Sequence, residues 1–572
     1  MRHALVGLLL LAACPSARPH VPRDTPSLIT TAEASQWRKT GRHDEAVRLC
    51  RDFARVYPGV GCEEIGRTGQ DRSIVALRIA RKAALPVVYI QAAIHPGEIE
   101  GKDAGFWFLR DLLDGKVAPG ALDHVAVVFV PVVNPDGHER ISKNHRPNQR
   151  GPEEMGFRTN GARMNVNRDF MKADTPEMHA ILSAVNRWDP VVFLDLHATD
   201  GAKFEHDIAV IVAPVAPRRD ELDETAAKLS QTIQDHLTRR GHLPLPFYPS
   251  FVGEDDPATG FAIGEAPPRF SNYYIAARGR LGILVETHSW RTFGERAKST
   301  YHVLEAVFTD AIRSAPRWRA VADAVSRSDS ALGGTKLPLI WEAGKARREI
   351  EFRGYAYEKK PSDISGGTWI TYDEKTPQVW KVPVFDQLEP TITIDVPRTG
   401  YIVDGGYAKL VGALLDRHGI RYQPIRGTHV VEAFRATKAT YQPPFEGRTR
   451  VALEGAWASE RRTLEQGAIV IPIAQPRARV VMHLLEPPLP DSLATWGHFN
   501  ATLEQKEYME PYVIEEQARA MIAADPALRA TFDQALAADP ELAKSPARRL
   551  EWFYKRHPAW DERVRLLPVY RY

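Results

Sequence analysis

The chain has 572 residues, 44% hydrophobic and 26% charged, an ordinary makeup for a globular protein of two or three domains. Its 75 Lys and Arg nearly balance 72 Asp and Glu, leaving a formal charge of +3, so no field of one sign points to nucleic acid or a broad anionic surface as partner. No apolar run reaches the roughly 18 residues of a spanning helix.

In chain order, Met1-Arg2-His3 and the apolar stretch Ala4 to Ala13 read as a targeting segment (residues 1–13), too short to span. It ends in Leu11-Ala12-Ala13-Cys14, which resembles a bacterial lipobox, with cleavage before Cys14 and a lipid on its sulfur. An ordinary secretory signal cut near Ser16-Ala17 is the alternative. Either way an exported protein of the periplasm or cell envelope is expected, touching a membrane only through the lipid on Cys14. Residues 14–34, rich in proline, read as a tether.

Asp44 to Tyr57 is an expected helix with Val47, Cys50, Phe53, Ala54 and Tyr57 on one face, stopped by Pro58-Gly59. The helix from Cys50 to Tyr57 rises only about 10 Å, and the return to Cys62 can span up to roughly 17 Å. A disulfide between Cys50 and Cys62 is therefore expected, with two separately buried thiols as the alternative. Strands at 73–79, 86–94 and 125–133 follow, with a helix at Gly101 to Leu113 between the last two. Thr175-Pro176 opens another helix through Met178, Ile181, Leu182, Val185 and Trp188. A strand through Val191 to Leu194, a strand at Ile208 to Val212 and a helix lined by Leu222, Ala226, Leu229, Ile233 and Leu237 come next. Such alternation predicts an α/β fold, a mixed twisted sheet with helices on both faces.

Three short segments carry the chemistry. His95-Pro96-Gly97-Glu98 follows the apolar run Leu85 to Ile90; Asp195-Leu196-His197 ends Val191 to Leu194; Glu286 follows Gly282-Ile283-Leu284-Val285. Two histidines and a carboxylate are N and O ligands that zinc favours, with a fourth position left for water. Ligands at strand ends of an α/β pattern point to the sheet edge where active sites collect. Asn134-Pro135-Asp136-Gly137 and Asn165-Val166-Asn167-Arg168-Asp169 lie between them.

In that order these segments resemble the zinc carboxypeptidase family, the relatives of carboxypeptidase A, over roughly residues 35–310. The resemblance implies one Zn²⁺ per chain on His95, Glu98 and His197, with Glu286 as general base and then acid. It implies that Asn167 and Arg168 hold the free carboxylate of a peptide substrate. Arg146 is the expected oxyanion donor, with Arg150 and Arg158 close enough to compete. Tyr274 resembles the family's mobile tyrosine, with Tyr273 as the alternative. Where the digestive enzymes have an aspartate behind a ligating histidine, this chain has Asn165, and Asp195 is a substitute for that role. Asp207, Glu254, Asp255 and Asp256 are either in the specificity pocket or solvated.

The expected division is a catalytic domain at 35–330, a β-rich accessory domain at 331–480 and a helical region at 481–572. Short strands are expected at Gly367 to Tyr372, Thr391 to Val396 and Ala468 to Ile473, with helices at Ala408 to His418, Glu504 to Ala524 and Ala527 to Ala538. Three functions compete: a metallocarboxypeptidase, an amidase or deacylase on the same fold acting on cell-wall peptides or N-acyl amino acids, and a non-catalytic binding protein.

Overall fold

The computed structural model describes residues 26–217, 220–253 and 256–572. The expected leader, Cys14 and the first part of the tether lie outside the described residues, as do Glu254 and Asp255. Residues 28–34, expected to close the tether, are instead packed. Leu28 and Ala32 join a buried core, and Arg110 donates to Leu28 O and to the Glu33 carboxylate.

The strands of the first half are β1 (Val60–Arg67), β2 (Ser73–Ile79), β3 (Val87–Ala92), β4 (Ala126–Val130), β5 (Val192–Ala198), β6 (Ile208–Ala213), β7 (Pro244–Leu245), β8 (Phe261–Ala262) and β9 (Leu281–Thr287). All but β8 form one eight-stranded sheet in the order β1-β2-β4-β3-β5-β9-β6-β7. Its centre is parallel, β4, β3, β5 and β9 running together, with antiparallel partners on both sides. Alternate residues bury on opposite faces. Val88, Ile90, Val127, Phe129, Val192 and Leu194 enter one core, and Tyr89, Val128, Val130 and Phe193 enter the other. Burial on both faces is why these strands read as unbroken apolar runs.

The first face is covered by helices His43–Val56, Glu100–Leu113, Glu221–Arg239 and Phe293–Asp329. The last, 37 residues long, matches no predicted element. It opens with a capping box between Thr292 and Glu295 and passes through Pro316, which breaks the pattern a sequence reading relies on. Helices Pro176–Trp188 and Ser271–Ala277 cover the other face, together with residues after 400.

Beyond residue 330 the chain forms two hairpins whose strands are longer than the short ones expected. β10 (Lys336–Ala343) is followed by the hairpin of β11 (Arg348–Pro361) and β12 (Thr368–Phe385), then β13 (Leu388–Asp395), which pairs with β10. β12 pairs with β8 of the first half. β14 (Gly400–Val403), β15 (Gln423–Pro424), the hairpin of β16 (Thr428–Phe445) and β17 (Arg448–Thr463), β18 (Ile469–Pro472) and β19 (Leu566–Arg571) form a six-stranded sheet. Much of each hairpin is exposed on both faces, so it lacks the alternation that marks a half-buried strand. β19, from the region expected to be helical, lies between β14 and β16. The expected helices are present as Gly405–His418, Pro511–Ala524 and Pro526–Ala538.

Cys50 and Cys62 form a disulfide that ties helix His43–Val56 to β1. Cys50→Ser with Cys62→Ser is expected to lower stability by roughly 2–3 kcal/mol in the chain-entropy view. The shift of the urea midpoint of oxidised parent against double variant checks it, and coincident midpoints would contradict it.

Candidate metal and catalytic site

The site lies at the C-terminal ends of three adjacent parallel strands. His95 comes just after β3, His197 near the end of β5, and Glu286 near the end of β9. The β5–β9 register sets His197 directly beside Glu286. Both therefore point to the same face of the sheet, the one that Phe193 also faces.

Glu98 reaches His95 through a tight turn in which its backbone N–H donates to His95 O at 2.9 Å. Gly97 inside that turn has no room for a side chain: a Cβ there would come within 2.6 Å of Arg146 Cγ and 3.2 Å of Gly156 O. Glu98 Oε1 lies 3.2 Å from His95 Nδ1, and Oε2 lies 2.9 Å from His197 Nδ1. The potential ligand atoms of all three residues fall within 4.8 Å of one another.

The outer nitrogen of each ring has an oxygen 2.9 Å away. His95 Nε2 donates to Asn165 Oδ1 at 2.9 Å, and His197 Nε2 lies 2.9 Å from Asp195 Oδ2. Both Nδ1 atoms are thereby turned inward, and that of His95 is buried without a hydrogen bond. Asn165 and Asp195 thus both serve, one per ligand, where the sequence left them as alternatives. A buried N,N,O set with its second ring nitrogens fixed fits a zinc ion.

Burial pushes the His95 ring down to about 4, so it is neutral, as a ligand must be. Burial also opposes charge on His197, but Asp195 and Glu98 overcome it and raise that ring well above its ordinary value. For Glu98 burial works against ionisation, yet Arg146, His95 and His197 hold it well below the usual carboxylate range. Glu286 is pushed up to about 8, first by burial and then by the Glu98 charge, with His197 pulling the other way.

A cavity of about 400 Å³ opens from this cluster, lined by His95, Arg158, Asn167, Arg168, Tyr248 and Glu286 among others. Its remaining wall is largely apolar: Ile211, Val215, Phe247, Ile263, Phe270 and Leu284. Arg168 lies over the Phe270 ring, 4.1 Å from its centroid. Its Nη1 donates to Asn167 O at 2.8 Å.

Several expectations are corrected here. Arg146 is not on the cavity wall; it is committed to Glu98 Oε1 at 2.7 Å and to Ala198 O at 3.1 Å. Arg150 pairs with Glu374. Arg158, 3.4 Å from Glu98 Oε1 and partly exposed, is the arginine of the three that faces the cavity. Tyr274 is fully buried, its hydroxyl 2.8 Å from His418 Nδ1. Its neighbour Tyr273 lines the cavity, as does Tyr248, which the sequence reading missed although it stands in a Pro-flanked Pro246-Phe247-Tyr248-Pro249 segment. Asp207 is bound to His242 and Asp256 to Lys359, and neither lines the cavity.

About one zinc per chain is expected, removable by chelator. His95→Ala and His197→Ala should each lose it, as read by metal analysis of the purified protein. Full zinc in both variants would overturn the ligand set.

Residues 46–242 match the model of the zinc carboxypeptidase family; the match ends before Glu286. Among solved structures, a metallo-carboxypeptidase from Pseudomonas aeruginosa, in complex with (2-guanidinoethylmercapto)succinic acid, is 20% identical. That alignment covers 47% of this chain and 69% of the other, with a TM-score of 0.36. A metallo-carboxypeptidase from Burkholderia cenocepacia is 19% identical over 46% of this chain and 67% of its own, with a TM-score of 0.35. Carboxypeptidase A from Helicoverpa armigera is 16% identical over 50% and 74%, also with a TM-score of 0.35. Residues 46–242, which carry His95, Glu98 and His197, therefore form a zinc carboxypeptidase domain.

Proposed function

We propose that this is an exported metallocarboxypeptidase that hydrolyses the peptide bond next to a free C-terminal carboxylate. The observation that carries the reading is one cavity shared by Glu286, the ligand His95 and Arg168, whose guanidinium lies over the Phe270 ring and donates to Asn167 O. A guanidinium fork matches a carboxylate in bidentate fashion, and the Asn167 amide adds a donor. Export is supported by the leader pattern before Cys14.

Zinc on His95, Glu98 and His197 would polarise the scissile carbonyl and lower the pKa of a bound water to roughly 7. With a cation on the ligands offsetting the burial and the Glu98 charge that raise it, Glu286 would be ionised, take the proton of the attacking water and deliver it to the leaving amine. In this reading Arg158, which lines the cavity beside Glu98, is the donor to the carbonyl oxygen as negative charge develops there. Arg168 and Asn167 set the distance from the terminal carboxylate to the scissile bond. The apolar wall suits an apolar terminal side chain. Glu286 is the one carboxylate among the described residues that line the cavity, so a terminal Lys or Arg would be buried without a dedicated partner.

Glu286→Gln keeps shape and ligands but removes the base, so kcat should fall at least about a hundredfold with zinc retained. Arg168→Ala should act mainly through KM, and on free-carboxylate peptides rather than their amides. Peptides ending in Phe or Leu should exceed those ending in Lys by about tenfold or more in kcat/KM. Equal cleavage of free and amidated peptides by the parent enzyme would replace this reading with an amidase or endopeptidase.

A further inference from the structure

The hairpin of β16 and β17 projects from the six-stranded sheet and closes on Glu446 and Gly447, flanked by the Phe445–Arg448 pair. Both central residues have positive φ, 49° at Glu446 and 77° at Gly447. A two-residue turn of this hand normally takes Asn, Asp or Gly first and Gly second, so a glutamate at its first central position is out of keeping with the turn alone. The tip is pinned to the catalytic half. Arg448 grips the Asp174 carboxylate with two hydrogen bonds, Nε to Oδ2 at 2.8 Å and Nη2 to Oδ1 at 2.6 Å.

The Glu446 side chain, so placed, accepts the backbone N–H of Asn165 on Oε2 at 2.7 Å. Asn165 is a junction. Its Oδ1 accepts from His95 Nε2 at 2.9 Å and from the Asn167 N–H at 3.1 Å, and its carbonyl accepts the Arg168 N–H at 3.0 Å. One residue therefore orients a ligating histidine and closes the turn that presents Asn167 and Arg168 to the cavity. Its own backbone is fixed by a carboxylate that lies far outside the matched residues 46–242.

We infer that Glu446 is a positioning residue for the reaction, coupling the accessory hairpin to the orientation of His95 and to the Asn167-Arg168 turn. The inference rests on the function proposed above. Breaking the contact lets Asn165 shift, which loosens the metal ligand and the carboxylate-binding pair together. Hairpin packing alone predicts neither effect.

Three variants test it. Glu446→Gln keeps an acceptor at the same reach. Glu446→Asp keeps the charge and suits the turn, but is one methylene too short. Glu446→Ala removes the group. Zinc affinity by chelator competition, kcat and KM on a free-carboxylate peptide, and melting temperature are measured for each. Glu446→Asp and Glu446→Ala should bind zinc about tenfold more weakly, the low end of the usual effect of an outer partner. KM should rise about fivefold in both, more than kcat falls, which marks lost substrate binding. Glu446→Gln should stay within about twofold of the parent on both measures, since it keeps the acceptor. Parent-like zinc affinity and KM in folded Asp and Ala variants would overturn the inference. So would equal damage in the Gln variant, or loss of fold in both shorter variants, which would make the contact architectural. A parent enzyme without zinc or peptidase activity would overturn the proposed function itself, and with it this extension.

Discussion

Everything at the site depends on the parallel pairing of β5 with β9. A register in which His197 sits beside Glu286 puts a metal ligand and a base on the same face of one sheet, at neighbouring positions, with no loop between them to relax. A slip by one residue would turn Glu286 into the opposite core, where Val285 now packs. That slip is resisted along the whole strand. Ile283 and Val285 from β9, and Leu194 and Leu196 from β5, are all buried on the face away from the site. The apolar core of the sheet thus sets the chemistry of its edge.

Within that frame the buried charges settle one another. Glu98, His197 and Asp195 form a line of close polar contacts inside the protein, ended by Arg146. Taking such groups out of water is costly unless each is paired and hydrogen-bonded, and removing one leaves its neighbour stranded. Arg146 belongs to this internal balance, its second nitrogen bound to the Ala198 carbonyl. The two ligating histidines are not equivalent. Asp195 behind His197 adds basicity as a carboxylate does, whereas the Asn165 amide behind His95 orients its ring and adds little charge.

The second half of the chain packs behind the walls of the cleft without lining it. β8, whose Ala262 lines the cavity, pairs with β12, and Phe352, Trp380, Val382 and Val384 of that hairpin share a core with Phe204, Ile211 and Phe247. Glu374, also on β12, bridges Arg150 and Lys203. The hairpin of β16 and β17 approaches from the other side at Asn165. Two long hairpins thus dock on the catalytic sheet, one against β8 and the Phe204, Ile211 and Phe247 core, the other at Asn165.

What the amino-acid sequence determined by itself was local. His95 and Glu98 meet through a single turn, and the apolar runs before His197 and Glu286 announce buried strands with their polar ends at one edge. The short reach between Cys50 and Cys62 likewise made their bond legible. What only the tertiary structure decided was which of several similar side chains faces the cavity. Arg146, Arg150 and Arg158 differ little as letters. Their partners Glu98, Ala198 and Glu374 come from distant segments, and Arg146 takes a left-handed backbone that no spacing reveals. Tyr273 and Tyr274 are neighbours on one helix, about 100° apart around it, and the buried His418 decides which turns inward. The long hairpins escaped notice because strands exposed on both faces carry no alternation. Periodicity records burial against a core, and these strands owe their place to docking on the catalytic half.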